Sequence, residues 1–573
     1  MNLAAVIHNR NGLDVYSLDR NNFCIRIKVE KGGFSKVFVH VCDKYLAHIS
    51  KTPLEDTILK FPLKKIGSDG IYDYYEAILF ENVITFCYFF ELIDSTKKSI
   101  FYGNDQFFNK KIIKLENMYE CPMLPYYEDR LITPKWAKGA IGYQIYVDAF
   151  SRLSDKKEHQ VKWDKKPMSS GDILGGELKG ITAHLPYLKE LGVDFIYLTP
   201  IFLSPSPHKY NTYDYYQIDP NFGTKGDLIK LVKTAHKLGI KVILDGVFNH
   251  VGTDFFAFKD VKKKQDKSKY KNWFYIKEHP LHSEYKEIPN FETFAYFGSM
   301  PKLRLTNKEV QEYIISVLKY WTKTAKIDGW RLDVANEIPH QFWIKVREEL
   351  KLINSELLIT GEIWYDSNKY LSSLEWDNAM NYPLYYSIKK WLVEKEYKVN
   401  DFANDLIKYR GNYQKESYHC LWNFVDTHDT PRFSYLAEDQ KTSLLGAALT
   451  LTLPGSPLIY YGDEVGLTGG KDPDCRRGML WDEAQNPSIL SFYKKLIGLR
   501  KSHPALLMGD LKIIDTFNRY NILIYSRFTD DEEIKIIINA SDSIQSNPIK
   551  GIELISNEEA KEYIPPKTIW IIK

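Results

Sequence analysis

The chain has 573 residues, 44% of them hydrophobic, enough to bury a large core and too long for one small module. Seventy-seven basic side chains stand against 74 acidic ones, a net charge of +3, which argues against nucleic acid as a partner and for an uncharged or weakly charged one. The six cysteines are scattered without a C-x-x-C pair and read as reduced thiols, neither disulfides nor metal ligands.

In chain order, the apolar run Leu3 to Ile7 is shorter than a secretion signal needs and is followed at once by His8, Asn9 and Arg10. The other apolar stretch, Leu444 to Leu453, stops at Pro454 and suits a core helix; neither spans a membrane. A cytoplasmic enzyme with no membrane attachment is the expectation. Residues 1–125 alternate in short segments, Asn22 to Glu30, Lys36 to Val41 and Ile84 to Leu92, between Gly, Asp and Asn clusters, which predicts an all-β sandwich. Residues 123–136 lack periodicity and read as a linker.

The pattern then changes to strand and helix in alternation. Ile181 to Leu191 reads as a helix ended by Gly192 before the run VDFIYLTP, and Asp227 to Leu238 repeats this with Gly239 before IKVILDGV. Thr306 and Glu309 read as the capping box of a third helix through Trp321, before Gly329 opens another strand. Further runs at Leu357 to Thr360, Trp376 to Met380, Cys420 to Val425 and Pro457 to Tyr461 predict a (β/α)8 TIM barrel over 126–505. An inserted B domain covers 250–303, and its Lys-rich run Val261 to Lys271 reads as a solvated face. A C-terminal all-β domain, a second sandwich, is expected over 506–573.

Four carboxylate-bearing segments end or follow the barrel runs: DGVFNH (245–250), GWRLDVANE (329–337), GEIW (361–364) and DTHDTPR (426–432). They would converge on the C-terminal rim, where barrel active sites form. Cleaving a glycosidic bond needs one protonated carboxyl group and one ionised carboxylate, roughly 5–5.5 Å apart when configuration is retained. Asp333 and Glu362 end adjoining strands, which are spaced by about 4.7–4.9 Å. Arg331, two residues before Asp333, shares its face, so its charge is expected to lower the Asp333 pKa and make it the nucleophile. The apolar neighbours of Glu362 are expected to raise its pKa, as a general acid requires. Asp429 would be a third carboxylate holding sugar hydroxyls, with His250 and His428 as donors to the same ring. The 14% aromatic content offers flat faces for sugar rings.

These segments, with YQIYVDAF (143–150), MPKLRLTN (300–307) and GSPLIYYGDE (455–464), resemble the α-amylase family of glycoside hydrolases. HKYNTYDY (208–215) and DPDCRRGMLWD (472–482) are similar to its cyclomaltodextrinase, neopullulanase and maltogenic amylase group. The resemblance implies a retaining enzyme cleaving α-1,4 and some α-1,6 bonds in cyclodextrins, maltooligosaccharides and pullulan, with transglycosylation. It places Asp333, Glu362 and Asp429 as catalytic residues, and Asp245, Asn249, His250, Arg331, His428, His208, Tyr210 and Arg477 around the sugar, Tyr210 as its stacking platform. Glu337 and Trp364 would be acceptor-side residues, and the N-terminal domain would be starch-binding-like and mediate a homodimer. No cofactor is called for. The resemblance carries a calcium loop after the first strand, but 151–166 is poor in closely spaced oxygen ligands; Asn249 reads as a structural hydrogen-bonding group. Arg304 and Asn211 also depart from the group's pattern. Two alternatives share the same residues: a dedicated transglycosylase or isomerase on this scaffold, and a non-catalytic carbohydrate-binding or transporter-accessory barrel.

Overall fold

The structure, a computed structural model, describes every residue except 1, 11, 154–160, 170, 284–286 and 373. The N-terminal segment forms two antiparallel sheets. One runs in the order Val15–Ser17, Asn22–Glu30, Tyr72–Phe80, Lys64–Ser68, and the other is built around Lys36–Asp43 and Thr85–Ile93. Phe23, Ile25, Ile27 and Val29 alternate onto one face and bury against Val39, Tyr88 and Phe90 of the facing sheet, as strand periodicity requires. The segment read as a linker carries a short helix, Met123–Glu128, whose Met123 packs into this sandwich.

Eight parallel strands follow, labelled β1 (Gly142–Ile145), β2 (Phe195–Leu198), β3 (Lys241–Gly246), β4 (Gly329–Leu332), β5 (Leu358–Gly361), β6 (Asn378–Ala379), β7 (Trp422–Asn423) and β8 (Ser456–Tyr460). They are ordered β6-β5-β4-β3-β2-β1-β8-β7, and a parallel bridge from Met380 to Trp422 closes the ring. The chain is therefore a (β/α)8 barrel. Phe195, Tyr197, Ile243, Leu358, Trp422 and Leu458 fill its interior, while Ile196, Val242, Leu244, Trp330 and Ile359 point outward into the layer shared with the helices.

Among those helices are α1 (Leu178–Leu191), α2 (Lys225–Lys237), α3 (Phe256–Lys264), α4 (Lys308–Ala325) and α5 (Val399–Asn412). Gly192 ends α1 in the left-handed conformation at φ 97°, and α2 begins with a capping box between Thr224 and Asp227. The start of α4 differs from the reading above. Asn307, not Thr306, is the N-cap and accepts from the amides of Glu309 and Val310, leaving the Glu309 carboxylate to accept from the Trp273 indole at 2.9 Å. Helix α3 belongs to the insertion after β3, which is tied back by the antiparallel bridges His250 to Lys302 and Phe274 to Leu303. The C-terminal part is all-β, with a six-stranded sheet from Asp510–Phe517 to Thr568–Ile572 at its centre.

One ionic node joins the three parts. Glu76, from the N-terminal sandwich, meets Arg26 at 2.8 Å, Arg410 of α5 at 3.1 Å and Lys415 at 3.0 Å. Arg410 also grips Asp510 of the C-terminal sheet at 2.6 Å. Burial by itself would push the Glu76 and Asp510 carboxyls up, but the surrounding cations outweigh it and hold Glu76 well below the usual carboxylate range and Asp510 at about 2. All six cysteines are buried and unpaired. Among the described residues no helix is long and apolar enough to cross a membrane.

Candidate active site

Strand register decides which side chains meet. Asp245 pairs with Arg331, and Arg331 with Thr360, so these three form one inward layer of the barrel. Leu332 pairs with Gly361, which makes Asp333 and Glu362 the first residues past adjoining strand ends, at the same height on the C-terminal rim. Backbone bonds hold that height: the Asp333 amide donates to Gly246 O at 3.1 Å and the Glu362 amide to Leu332 O at 2.9 Å. Gly361 has to be glycine, because a Cβ there would lie 2.2 Å from the Trp376 ring packed behind it.

The centre of the site is the buried guanidinium of Arg331. Its Nη1 donates to Asp245 at 3.0 Å and to Asp333 Oδ1 at 2.8 Å, and its Nη2 stands 2.9 Å from Glu362 Oε1. One cation thus serves three carboxyl groups. Glu362 Oε2 also accepts from the Val334 amide at 3.0 Å, and Oε1 from the Trp364 indole at 3.1 Å. Val334 provides that amide from a left-handed conformation, φ 46°, which costs a β-branched residue steric strain.

Burial raises the Asp333 carboxyl well above its usual range, the negative charge of Glu362 adds to this, and Arg331 pulls the other way. This corrects the expectation that Arg331 lowers the Asp333 pKa: the guanidinium is shared and burial outweighs it. Burial likewise pushes Asp245 up to about 6 against the pull of Arg331. The surroundings of Glu362 are also not the apolar pocket its sequence neighbours suggest, since Arg331, the Val334 amide and the Trp364 indole all reach it.

Beside this cluster, Tyr210 stacks on His428 with ring centres 5.4 Å apart and planes 4° from parallel. The Tyr210 hydroxyl bonds to His428 Nε2 at 2.6 Å and to Asp245 Oδ2 at 3.0 Å. The loop bearing His208 and Tyr210 is pinned by Lys209, which turns back at φ 63° into a fully enclosed ion pair with Asp219 at 2.9 Å. Burial, with help from nearby cations, lowers the pKa of His428 far below normal; burial foremost also drops His208 and His250 to about 3, so all three rings are neutral donors or acceptors. His250 stacks on Phe294, and its Nε2 is buried without a protein partner. Asn249 donates to Glu337 at 3.3 Å, and Glu337 also meets Lys302 at 2.7 Å. Because the Lys302 ammonium already neutralises Glu337, these residues do not fit a calcium ion, although Asn249 Oδ1 is itself unpartnered. Of the 151–166 loop, residues 154–160 lie outside the described residues; among the described residues no group of three His, Cys, Asp or Glu side chains is placed to hold a metal.

Asp429 lies 3.3 Å from His428 Nε2 and 3.4 Å from Arg476. This second contact identifies a residue the sequence reading passes over. The Arg477 guanidinium is held by Asp474 at 2.7 Å, while its neighbour Arg476 reaches Asp429, donates to His428 O at 2.9 Å and lies over the Tyr146 ring. Tyr197, which donates to Asp245 at 2.5 Å, Gln144, bonded to His428 Nδ1 at 2.6 Å, and Tyr382, stacked under Trp364, also belong to the site. Tyr197 and Gln144 carry a signal that could have found them: polar groups at inward positions of otherwise apolar barrel strands.

A (β/α)8 barrel with acidic side chains clustered at its C-terminal rim around one arginine defines a carbohydrate-cleaving enzyme of one class. The chain belongs to the α-amylase family: residues 144–487 match its catalytic domain and residues 1–125 its N-terminal Ig-like domain, and it is a glycoside hydrolase acting on α-glucans. It is 37% identical to a cyclomaltodextrinase of Geobacillus thermopakistaniensis (strain MAS1), over 96% of this chain and 93% of that one. It is also 37% identical to neopullulanase 2 of Thermoactinomyces vulgaris, over 94% and 91% of the two chains. A solved cyclomaltodextrinase structure superposes with a TM-score of 0.91 at 32% identity, covering 100% of both chains.

Proposed function

We propose that the enzyme hydrolyses α-1,4 and some α-1,6 bonds of cyclodextrins, maltooligosaccharides and pullulan with retention of configuration. Asp333 is the nucleophile, Glu362 the acid/base and Asp429 the third carboxylate. The observation that carries this reading is the placement of Asp333 and Glu362 one step past paired residues on adjoining strands, with Arg331 touching both. Strand spacing sets them at roughly 5 Å, the separation of a retaining pair rather than the roughly 6.5–9.5 Å that an inverting enzyme needs for its water. Asp333 Oδ1 is engaged by Arg331, while no described residue donates to Oδ2, which leaves that oxygen as the attacking atom. Asp333 attacks in its ionised form, which the Arg331 contact favours against the burial that raises its carboxyl, and Glu362 carries the proton for the leaving group. Glu362 delivers it to the leaving oxygen as Asp333 Oδ2 bonds to the anomeric carbon, then takes a proton from the water that cleaves the glycosyl ester.

Tyr210, with His428 behind it, is the platform for the sugar at the cleavage point. His208, Asp245, Asn249 and His250 surround that sugar, and Arg476 rather than Arg477 supports Asp429. Trp364, 49% exposed beside Glu362, together with Glu337, offers a surface where a second sugar can replace water, which supports transglycosylation as a side activity. A homodimer through the N-terminal sandwich is supported by the exposed apolar residues Ile78 and Phe80 on one strand face, and by Ile84 and Leu124, which are exposed and line one pocket of the same domain. A cytoplasmic location is supported by a relative 33% identical, the intracellular maltogenic amylase of Bacillus subtilis (strain 168). Asp333→Asn tests the central assignment: turnover of maltotriose and β-cyclodextrin should vanish while both sugars still bind, and undiminished turnover would overturn it.

A further inference from the structure

A broad groove lies away from the catalytic rim, and none of the rim carboxylates lines it. It lies on the outer flank of the barrel, between helices α3 and α4 and the hairpin formed by Phe202–Leu203 and Asp214–Ile218, and encloses about 1260 Å3. That exceeds the roughly 300–1,000 Å3 of an ordinary small-molecule cleft, and the groove is open to solvent rather than enclosed, with room for several linked sugar units.

Its walls carry four aromatic rings, Tyr213, Tyr216, Phe256 and Tyr313. Tyr216 and Phe256 are 38% and 42% exposed, so part of each ring face is open to a ligand in the groove. They are held in place: Tyr216 and Phe256 each set an edge against Tyr313, at 6.0 and 5.5 Å, and the Tyr216 hydroxyl bonds to Ser316 at 2.6 Å. Between the rings stand Asp214, Asp254, Asp260, Lys259, Lys262 and Lys263. Their charges cancel, and Asp254 and Asp260 face lysines of α3 at 3.6 and 2.6 Å. A polyanion would find no net attraction there, and an apolar helix would have to desolvate six charges. A neutral polyol fits: its ring faces stack on the aromatics while its hydroxyls bond to carboxylates and ammonium groups that keep their water-facing positions.

We propose that this groove is a second α-glucan binding site, which holds a linear oligosaccharide apart from the catalytic cleft. The inference rests on the α-glucan reading above and extends it. It accounts for the lysine-rich start of the 261–271 run, whose Lys262 and Lys263 line the groove. It also gives the hairpin two faces. Leu203, Tyr213 and Asp214 line the groove, while the loop between Leu203 and Tyr213 carries His208 and Tyr210, so one chain segment serves both the groove and the proposed cleavage point.

The test uses the full-length Asp333→Asn protein, so that the probe is bound and not consumed. Titration calorimetry with maltoheptaose should give two sites per chain, and the same protein carrying Tyr216→Ala and Phe256→Ala should give one, with the remaining affinity unchanged. In otherwise unsubstituted enzyme the two groove substitutions should raise KM for soluble starch severalfold and leave maltotriose kcat and KM as they were. Crystals of Asp333→Asn soaked in maltoheptaose give a readout independent of groove variants, and density in the groove is expected. A single site in the parent protein with an empty groove overturns the proposal, as does a shift of the groove variants to a smaller sedimenting species, which would make the groove a contact between copies. Hydrolysis surviving in Asp333→Asn would instead sink the catalytic reading, so the two failures are distinguishable.

Discussion

Trp364 donates its indole N–H to Glu362 Oε1 at 3.1 Å while its ring lies over Tyr382 at 5.1 Å. The carboxyl proposed as the acid/base is therefore aimed by a side chain of the proposed acceptor surface. Trp364→Phe keeps the ring and removes the donor. A hydrogen bond to a charged group contributes about 1.5–3 kcal/mol, so kcat on maltotriose should fall roughly tenfold or more, with a smaller change in KM. An unchanged kcat would show that Glu362 is oriented without the indole.

The adjacent arginines should separate cleanly. Arg476 is 8% exposed and reaches Asp429 and His428 O, whereas Arg477 is paired with Asp474 nearer the surface. Arg476→Met should lower kcat/KM on β-cyclodextrin by about a hundredfold, the effect of stranding a buried charge-assisted contact. Arg477→Met should cost less than about threefold, since partly exposed pairs contribute little. The reverse ranking would make Arg477 the member of the pair that serves the sugar.

Acid loss of activity should come from carboxyl groups and not from histidine. His208 and His250 are held at about 3, so neither gains a proton near neutrality, whereas Asp245 lies at about 6. Its ionised form accepts from Tyr197 and Tyr210 and holds Arg331; below about pH 6 it takes up a proton and that grip weakens. The pH profile of kcat/KM should therefore fall on the acid side of about 6, with the same midpoint in His208→Gln. Disappearance of that limb in the histidine variant would contradict the assignment.

The left-handed Val334 stores strain of the order of 1–2 kcal/mol. Val334→Gly releases it but frees the amide that donates to Glu362 Oε2. Thermal unfolding should show a midpoint equal to or above that of the parent, while kcat declines. A marked drop in midpoint would mean that Val334 packing outweighs the strain.

Breaking the ionic node at Glu76 should be costly, because Arg26 and Arg410 would be left buried with less counter-charge. Glu76→Gln is expected to destabilise by about 3–5 kcal/mol, read as a lowered unfolding midpoint at pH 7. The carboxyls of Glu76 and Asp510 are depressed, so their stabilisation is fully present above the ordinary carboxylate range and is lost as pH falls toward about 2. The gap between parent and variant midpoints should accordingly narrow between pH 4 and 2. A gap independent of pH would remove the node from the acid response.

The barrel is legible because buried parallel strands read as apolar runs and helix stops as glycines, as at Gly192 and Gly239. The segments holding Asp245, Asp333, Glu362 and Asp429 are legible for a related reason: a polar residue ending an apolar run has to face the rim. Ionisation is not legible, because it depends on how many neighbours share one cation. Arg331 next to Asp333 in sequence says nothing of Asp245 and Glu362 arriving from other strands. Nor does a pair such as Arg476 and Arg477 say which member turns inward, since the short helical turn Asp474–Arg476 sets that direction through packing. At Asn307 the miss is one residue, because Thr306 and Asn307 are both competent caps and tertiary contacts with Trp273 choose between their partners.

Arg410 brings together residues 76 and 510 of the same polypeptide. During synthesis the sandwich and most of the barrel emerge before Asp510 exists, so until then the guanidinium lacks one of its two anions. Completion of that contact couples a part made late to one made early. A nascent chain stalled short of residue 510 should accordingly be more open to protease at the junction around Glu76 than the released protein.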